Sequence, residues 1–287
     1  MRTYQVARPP VRWPKVLIHI CLIVGAVLMM YPVIWMLSAS FKPENAIFSD
    51  PGLWPQQFTF KNYVSGWNAL GTALGFGTFF WNSFVVSVGA VIGNVISCSM
   101  VAYAFARLPL KFKPLWFALM LGTVMLPYHA IVVPQYILFK SIGWINTFLP
   151  LIVPKFLATD AFFIFLMVQF MRALPRELDE AAKMDGCGPI RLFWRVILPL
   201  STPALVTTAI FTFIWTWSDF FSQLIFLNTL QIFTLPVALR TFLDSTGTSS
   251  YGGLFAMSIL SLIPIFGFFL AFQRLLTEGI STTGMKG

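Results

Sequence analysis

The residues that could do chemistry in this chain are few and scattered. Its three cysteines and two histidines form no CxxC pair and no Cys/His cluster, so neither a zinc site nor a disulfide framework is indicated. His19 and His129 each lie alone in an apolar stretch, which favours packed, hydrogen-bonded side chains. The phosphate-binding pattern GxxxxGK[ST] does not occur in the sequence, so the chain does not bind ATP by that device. The sequence therefore offers no candidate catalytic residues for a membrane-embedded enzyme.

Polar residues inside apolar stretches are the remaining candidates for a functional site. Lys155 and Asp160 lie together in one such stretch, where ionisable groups are costly and often functional. The alternative is that Lys155 extends to the outer interface and that Asp160 is paired or faces a partner subunit. Trp215, Trp217 and Asp219 end another stretch, where they can stack on and hydrogen-bond a polar solute, although Trp also marks membrane interfaces. These five residues are the candidates for a solute path.

Composition places the chain in a membrane. Hydrophobic residues make up 57% and charged residues 10%, against roughly 25% charged in a soluble domain. The net charge of +9 comes from short segments between apolar stretches, with no dense basic run or RNA-binding motif. We therefore predict an integral membrane protein in contact with the lipid bilayer and without a nucleic-acid partner.

The apolar stretches predict an all-α fold with six transmembrane helices. A helix rises about 1.5 Å per residue and the hydrocarbon core is about 30 Å thick, so about 20 apolar residues cross it. The first stretch is too long for the core of a cleavable signal peptide and has no small-x-small cleavage site, so we expect it to be retained. The segment from Phe220 to Leu243 contains Arg240 and is predicted to run along the outer face instead of forming a seventh span. The predicted spans are Val16–Ser38, Phe80–Ala106, Leu115–Leu138, Leu149–Met171, Pro203–Asp219 and Gly253–Phe272.

Positive charge gives the orientation. Most of the 19 Lys and Arg residues lie in the two termini and in the loops after the second and fourth spans. The positive-inside rule then puts both termini in the cytoplasm. The predicted organisation is a cytoplasmic N-terminal segment (1–15), a six-helix domain (16–273) and a cytoplasmic C-terminal tail (274–287).

Two spans contain residues that alter helix packing. The third contains Pro127 and Pro134, each of which removes a backbone donor and favours a kink. The second contains Gly89, Gly93 and Ser97 at four-residue spacing, a stripe that allows close approach of another helix. This stripe predicts packing within the chain or against a partner subunit.

The loop between the fourth and fifth spans (173–199) predicts two short helices joined by a turn. Pro175 suits a first helical position, and Glu177 favours the positive end of the helix dipole. Gly186 suits the end of that helix, and Pro189 can begin a second one that Pro199 limits. Such a folded cytoplasmic loop suits docking into a cleft of another protein, or a position on the membrane surface.

The same loop contains a longer pattern. Glu180-Ala-Ala182 is followed by three residues and Gly186, then by nine residues and Val196-Ile-Leu-Pro199. This spacing resembles the EAA motif of ABC importer permeases, EAA-x3-G-x9-I-x-L-P, with Val196 replacing the Ile. The coupling residues that the resemblance implies are Glu180, Ala181, Ala182, Asp185, Gly186, Val196, Leu198 and Pro199.

The resemblance extends over nearly the whole chain. Phe41-Lys-Pro-Glu44, Phe80-Trp-Asn-Ser83 and the terminal Gly284-Met-Lys-Gly287 are similar to segments of maltose-type permeases, specifically the shorter, six-span subunit of the carbohydrate uptake class. That family implies a bacterial inner-membrane heterodimer with a second permease, two ATPase subunits and an extracytoplasmic solute-binding protein. It implies that ATP and Mg²⁺ bind to the ATPase and that this chain binds no cofactor. In such relatives the tail reaches the ATPase interface, and the solute site lies largely in the other permease.

Other solutes and another transport mechanism remain open. Related permeases serve glycerol phosphates, polyols and anionic sugars as well as oligosaccharides. A gradient-driven secondary transporter would need several titratable residues within the membrane, and Asp160 is the main candidate in this sequence. It would also need repeats with discontinuous helices, which are not evident.

Overall fold

A computed structural model describes residues 13–68, 75–243 and 250–283, and every regular element in these ranges is helical. Most of the predicted N-terminal segment, and the Gly284–Gly287 segment of the predicted tail, lie outside the described residues. Short 3₁₀ turns cover Glu44–Ala46 and Leu230–Ile232, and a π-helical turn covers Phe193–Ile197. The helices are α1 (Trp13–Ser40), α2 (Lys61–Asn68), α3 (Gly77–Arg107), α4 (Lys113–Val124), α5 (Tyr128–Ser141), α6 (Leu149–Phe156), α7 (Ala161–Ala173), α8 (Glu177–Met184), α9 (Pro189–Leu192), α10 (Leu198–Leu200), α11 (Thr202–Ser218), α12 (Phe221–Phe226), α13 (Leu235–Arg240) and α14 (Tyr251–Thr283).

Four helical segments of the described residues are long and apolar enough to cross a membrane. They are Leu17–Ser40, Gly77–Arg107, Leu149–Ala173 and Tyr251–Arg274, which coincide with the first, second, fourth and sixth predicted spans. Two bent helix pairs, α4 with α5 and α9–α10 with α11, raise the number to six if each pair forms one span. The multi-span helical architecture is therefore confirmed, and the count of six stays a prediction.

The third predicted span is not a single kinked helix. Helix α4 ends at Val124, α5 begins at Tyr128, and their axes differ by 98°. Pro127 causes the break, because it has no backbone N–H to donate and adopts an extended conformation (φ −65°, ψ 130°). Pro134 lies inside α5 without ending it.

The segment from Phe220 to Leu243 contains only short helices. Helices α12 and α13 have six residues each, and no candidate span falls here. Asn82 of α3 donates hydrogen bonds to the carbonyls of Gln231 and Phe233, both at 2.9 Å. Ser83 accepts one from the N–H of Leu235 at 2.7 Å. The Phe80–Ser83 segment, which is part of α3, therefore holds the 220–243 segment against this helix.

The Phe41–Glu44 segment joins the end of α1 to the start of α14. Lys42 is buried, and its ammonium donates to the carbonyls of Asp50 (2.5 Å) and Gly52 (2.6 Å). The Glu44 carboxylate accepts the backbone N–H groups of Tyr251 (2.6 Å) and Gly252 (2.9 Å). These are the first N–H groups of α14, which have no acceptors inside the helix. The Glu44 carboxylate supplies the missing acceptors from another part of the chain.

Helix α3 is the central element of the bundle and packs against α6, α7 and α11. The small-residue stripe faces α6. A Cβ added at Gly89 would lie 3.1 Å from the Ile152 side chain, and one at Gly93 would lie 2.8 Å from the Phe156 ring. Ser97 donates a hydrogen bond to the Lys155 carbonyl at 2.6 Å. The stripe therefore brings two helices of the same chain together.

We predict that Gly93→Leu destabilises the protein, because the new side chain would overlap Phe156 and the backbone carbon of Lys155, the latter 3.0 Å from the added Cβ. Overpacking of this kind costs about 1–3 kcal/mol. Thermal unfolding in detergent, followed by size-exclusion chromatography, measures the loss. Gly25→Leu is the matched control, because no atom lies within 4 Å of a Cβ at Gly25. Equal melting temperatures for the two variants would contradict the packing of α3 on α6.

Candidate coupling knob and solute cavity

The segment 175–199 folds as a compact projection, called here the knob. Helix α8 ends at Met184, Asp185 is its C-cap, and Gly186 follows in the left-handed conformation (φ 75°). The N–H of Gly186 bonds to the Lys183 carbonyl, and the N–H of Cys187 bonds to that of Ala182, which closes the helix end as predicted. Pro189 then begins the second helix, which passes through the π-helical turn and ends at Leu200.

A mostly buried ion pair attaches the knob to the bundle. The guanidinium of Arg107, at the end of α3, lies 3.2 Å from the carboxylate of Asp179 on α8. The same guanidinium donates to the carbonyls of Met171 (2.7 Å) and Leu174 (2.8 Å). Tyr103, one turn earlier on α3, donates to the Pro189 carbonyl at 2.9 Å. Both helices of the knob are therefore bonded directly to α3, and a displacement of the knob would act on this helix.

The predicted coupling residues divide between the surface of the knob and its contact with the bundle. Glu180, Ala181, Asp185 and Gly186 are exposed, whereas Ala182 is buried against the cluster that contains Phe193 and Ile197. Further along, Val196 and Leu198 are half-buried at the edge of this cluster, and Pro199 is exposed at the bend that leads into α11. The EAA pattern thus contributes both outward-facing and anchoring positions.

The tip of the knob exposes apolar side chains. Met184 is 89% exposed and Ile190 is 75% exposed, and half of the surface of Trp194, which lines one cavity with Ile190, is open. An open cavity of about 500 Å³ lies along this surface, lined by Gly186, Gly188, Pro189, Ile190, Arg191, Trp194 and Arg195. Large exposed apolar side chains on a polar projection are typical of a surface that another protein covers.

A second cavity, of about 680 Å³, lies between α5, α6, α12 and the end of α11. It is called here the solute cavity, after the predicted solute-path residues that line it. Four of the five predicted solute-path residues line it: Lys155, Asp160, Trp215 and Asp219. Trp217 does not. Its ring is buried between Phe213 and Phe80, and its N–H donates to the Ser261 carbonyl at 3.1 Å.

Polar side chains from four helical segments meet at one side of the solute cavity. The Lys155 ammonium lies 2.8 Å from the Asp160 carboxylate, across the break between α6 and α7. Asn94 of α3 donates to the same carboxylate at 2.5 Å and to the hydroxyl of Thr212 on α11 at 3.1 Å. Lys155 and Asp160 are each about one quarter exposed, so the pair borders the cavity. It also links the end of α6 to the start of α7 across the break between them.

The other side of the solute cavity is aromatic. The ring of Trp215 is half exposed and rests on Phe162 and Phe163. His129, predicted to be packed and hydrogen-bonded, is instead exposed and sets its ring edge-on to Phe221 at 4.7 Å. The break at Pro127 explains the difference, because it turns the start of α5 toward the cavity.

Three residues of these sites were not among the sequence candidates. Asn94 carries a recognisable signal, since an amide in the middle of an apolar span needs internal partners. Arg107 and Asp179 carry none, because a basic residue at the end of a span normally extends to solvent and an acidic one in a short surface helix is normally solvated. Only the folded chain brings the two together.

Comparison with known proteins agrees with this fold. A family model described as "Binding-protein-dependent transport system inner membrane component" matches residues 98–282, which include the knob. The "Trehalose/maltose transport system permease protein MalG" of Thermococcus litoralis is 31% identical over 277 residues, covering 95% of this chain and 99% of that protein. The "Trehalose transport system permease protein SugB" of Mycobacterium tuberculosis is 35% identical over 274 residues, covering 93% and 95%.

These matches define the class of protein. The chain belongs to the family of inner membrane components of binding-protein-dependent transport systems, and it is a multi-pass permease of the ABC type. A solved structure has the same fold: a chain of a bacterial ABC transporter involved in the import of the acidic polysaccharide alginate superposes with a TM-score of 0.79 at 22% identity, covering 93% of this chain and 99% of that one.

We predict that Arg107→Gln loosens the knob, because it leaves the Asp179 carboxylate without its cation. Removing one partner of a buried pair costs about 3–5 kcal/mol. Limited trypsin digestion measures the effect locally, since Arg176 and Lys183 lie on the surface of the knob and a detached knob would let its backbone unfold into the protease around them. The exposed Lys111→Gln is the control. Equal cleavage rates for both variants would show that the pair does not hold the knob.

Proposed function

We propose that this chain is the permease subunit of an ATP-driven carbohydrate importer and that the knob couples it to a partner ATPase. The observation that carries the proposal is the EAA spacing on a projection that is bonded to α3 and has an unpartnered apolar tip. Loss of an ion-pair or packing contact within this projection would change the ends of α3 and α7 together.

The coupling step follows from these contacts. The exposed Glu180 and Asp185 carboxylates suit basic residues of an ATPase cleft, while Ala181 and Gly186 permit close approach. Closure of the ATPase dimer on ATP would displace the knob, and the Arg107–Asp179 pair would transmit this displacement to α3. Converting a 1:99 population of two states to 99:1 requires about 5.5 kcal/mol of differential binding, which ATP and a solute-binding protein would supply together.

The partners of this chain follow from the same proposal. A second permease would complete the translocation path, two ATPase subunits would bind ATP and Mg²⁺, and an extracytoplasmic solute-binding protein would deliver the solute. In this arrangement the chain itself binds no cofactor and does not hydrolyse nucleotide. The knob and both termini would then face the cytoplasm.

The solute cavity supports a neutral carbohydrate. Trp215 offers an aromatic face for a sugar ring, and the Asp219 carboxylate can accept hydrogen bonds from its hydroxyl groups. Lys155 is neutralised by Asp160, and Asp219 adds a negative charge, so the lining of the cavity in the described residues carries no uncompensated Lys or Arg. This charge balance disfavours glycerol phosphates and anionic sugars on this half of the path. The names of the relatives, which transport trehalose or maltose, support the same class.

We predict that Glu180→Lys abolishes coupled uptake while the protein still inserts into the membrane. Reversing a charge at a docking surface opposes basic residues of the partner and should lower solute uptake at least about tenfold. Uptake into proteoliposomes containing the complete transporter measures this loss, and Lys140→Glu on the predicted outer side is the control. Normal uptake by Glu180→Lys would argue strongly against the coupling role of the knob.

Substitutions at two glycines distinguish a loss of uptake caused by the position of the residue from one caused by backbone strain. Gly186 and Gly143 both have positive φ (75° and 73°), and neither has an atom near its Cβ position. Leucine at either position imposes a similar strain of about 1–2 kcal/mol. We expect Gly186→Leu to lose uptake and Gly143→Leu to keep it, although both lose similar thermal stability. Equal loss of uptake would point to general destabilisation.

We predict that Trp215→Ala lowers solute uptake about two- to tenfold, because it removes an aromatic stacking surface from the cavity. ATP hydrolysis stimulated by the solute-binding protein should remain, since the knob is untouched. Trp81→Ala is the matched control, because Trp81 is also exposed but lies outside the cavity lining. Parallel loss of uptake and ATP hydrolysis in Trp215→Ala would reject the solute-path role.

A further inference from the structure

A third cavity, of about 370 Å³, lies near the knob, where α3 and α7 end and α4 begins. Its lining consists of Ala106 and four basic residues: Arg107, Lys113, Arg172 and Arg176. No carboxylate lines it in the described part of the chain. A concave site with four cations and no anion is electrostatically incomplete.

The contacts of these cations leave most of their charge uncompensated. Only Arg107 has an acidic partner, Asp179, and its buried Nε–H makes no hydrogen bond within the described residues. Lys113 donates to the Leu108 carbonyl at 3.1 Å, and Arg172 lies over the Phe117 ring at 5.1 Å. In the described ranges no carboxylate lies within ion-pair distance of Lys113, Arg172 or Arg176. An anion in the cavity would relieve this repulsion.

The start of α4 adds to the attraction. This 12-residue helix begins at Lys113, on the cavity wall, and no side chain caps its N-terminus. The free N–H groups and the positive end of the helix dipole favour an anion at this position.

We propose that this cavity binds the phosphate group of an anionic phospholipid. The neighbouring surface fits the rest of such a molecule, because no residue of α4 is buried, and Leu115 and Trp116 are each 55% exposed immediately after Lys113. Trp is typical of the level of the lipid headgroups, and basic pockets between spanning helices at the cytoplasmic face bind phosphate headgroups. The inference rests on the proposed orientation, in which this end of the bundle faces the cytoplasm.

A lipid fits the cavity better than the acidic surface of a partner protein does. The apolar surface beside the cavity belongs to α4, whereas the exposed apolar tip of the knob is formed by Met184, Ile190 and Trp194. A bound phosphate would join the start of α4 to α3 and α7 at the position where Arg107 holds the knob. Anionic lipid would therefore stiffen the base of the knob.

The test uses the complete transporter and two sets of charge removals. The first is the triple variant Lys113→Gln, Arg172→Gln, Arg176→Gln, which keeps Arg107 and its ion pair. The second, with the same number of charges removed from exposed residues at other positions, is Lys61→Gln, Lys140→Gln, Arg240→Gln. Native mass spectrometry after incubation with phosphatidylglycerol measures retained lipid, and phosphatidylcholine serves as the neutral comparison.

We expect the unchanged protein and the second variant to retain phosphatidylglycerol in preference to phosphatidylcholine. The first variant should bind it about a hundredfold more weakly, since each basic residue contributes about fivefold. Equal retention by the two variants would overturn the proposal. So would loss of the ATPase subunits from the first variant with lipid retention unchanged, because that result would assign the cavity to a protein partner.

A separate arm identifies the source of the phosphate. In delipidated detergent, inorganic phosphate should leave the thermal stability of the unchanged protein unaltered, while phosphatidylglycerol added as mixed micelles with the detergent should raise it. Stabilisation by inorganic phosphate alone would show that the cavity binds a free anion and not a lipid. These measurements do not depend on uptake, so they can fail while the Glu180 and Gly186 variants still support the coupling role of the knob.

Discussion

The carboxylate of Asp160 is the contact on which the middle of the bundle depends. It receives hydrogen bonds from Lys155 and Asn94 at the break between α6 and α7, and Asn94 continues to Thr212 on α11. Asn94 and Thr212 are buried away from water, so their polar atoms must find partners within the protein. The network therefore specifies which faces of α3, α6, α7 and α11 meet, while the glycines of α3 allow α6 to approach closely enough.

The breaks in the helices create the solute cavity. Pro127 separates α4 from α5 and turns His129 inward, and the break before α7 exposes Lys155 and Asp160 to the same space. Irregular backbone within a membrane is tolerated only where it borders protein or a water-filled space. The positions of the breaks therefore suit a polar path along this chain.

At the other end of α3 the same helix carries the knob. Arg107 and Tyr103 bond to the two helices of the knob, and the buried Asn94, further along α3, bonds to Asp160 of the cavity lining. One helix is thus bonded both to the knob that we assign to the ATPase and to a residue of the cavity that we assign to the solute. Proline-free and buried along much of its length, α3 is suited to transmit displacement between them. The basic cavity beside Arg107 would add a lipid to this junction.

Periodicity and charge in the sequence were sufficient for the membrane class, the approximate limits of the apolar segments and the two-helix form of the loop after the fourth segment. These features are local, because a run of apolar residues, a proline or a glycine acts on its own stretch of backbone. The EAA spacing led to the correct family for the same reason. Sequence could not show that Pro127 bends the chain by 98° instead of kinking it, or that Trp217 packs away from the cavity while His129 faces it. The Arg107–Asp179 pair joins residues 72 positions apart, and Asn94 and Asp160 are separated by 66. Only tertiary structure decides such contacts, because they depend on how whole helices are rotated and spaced against one another.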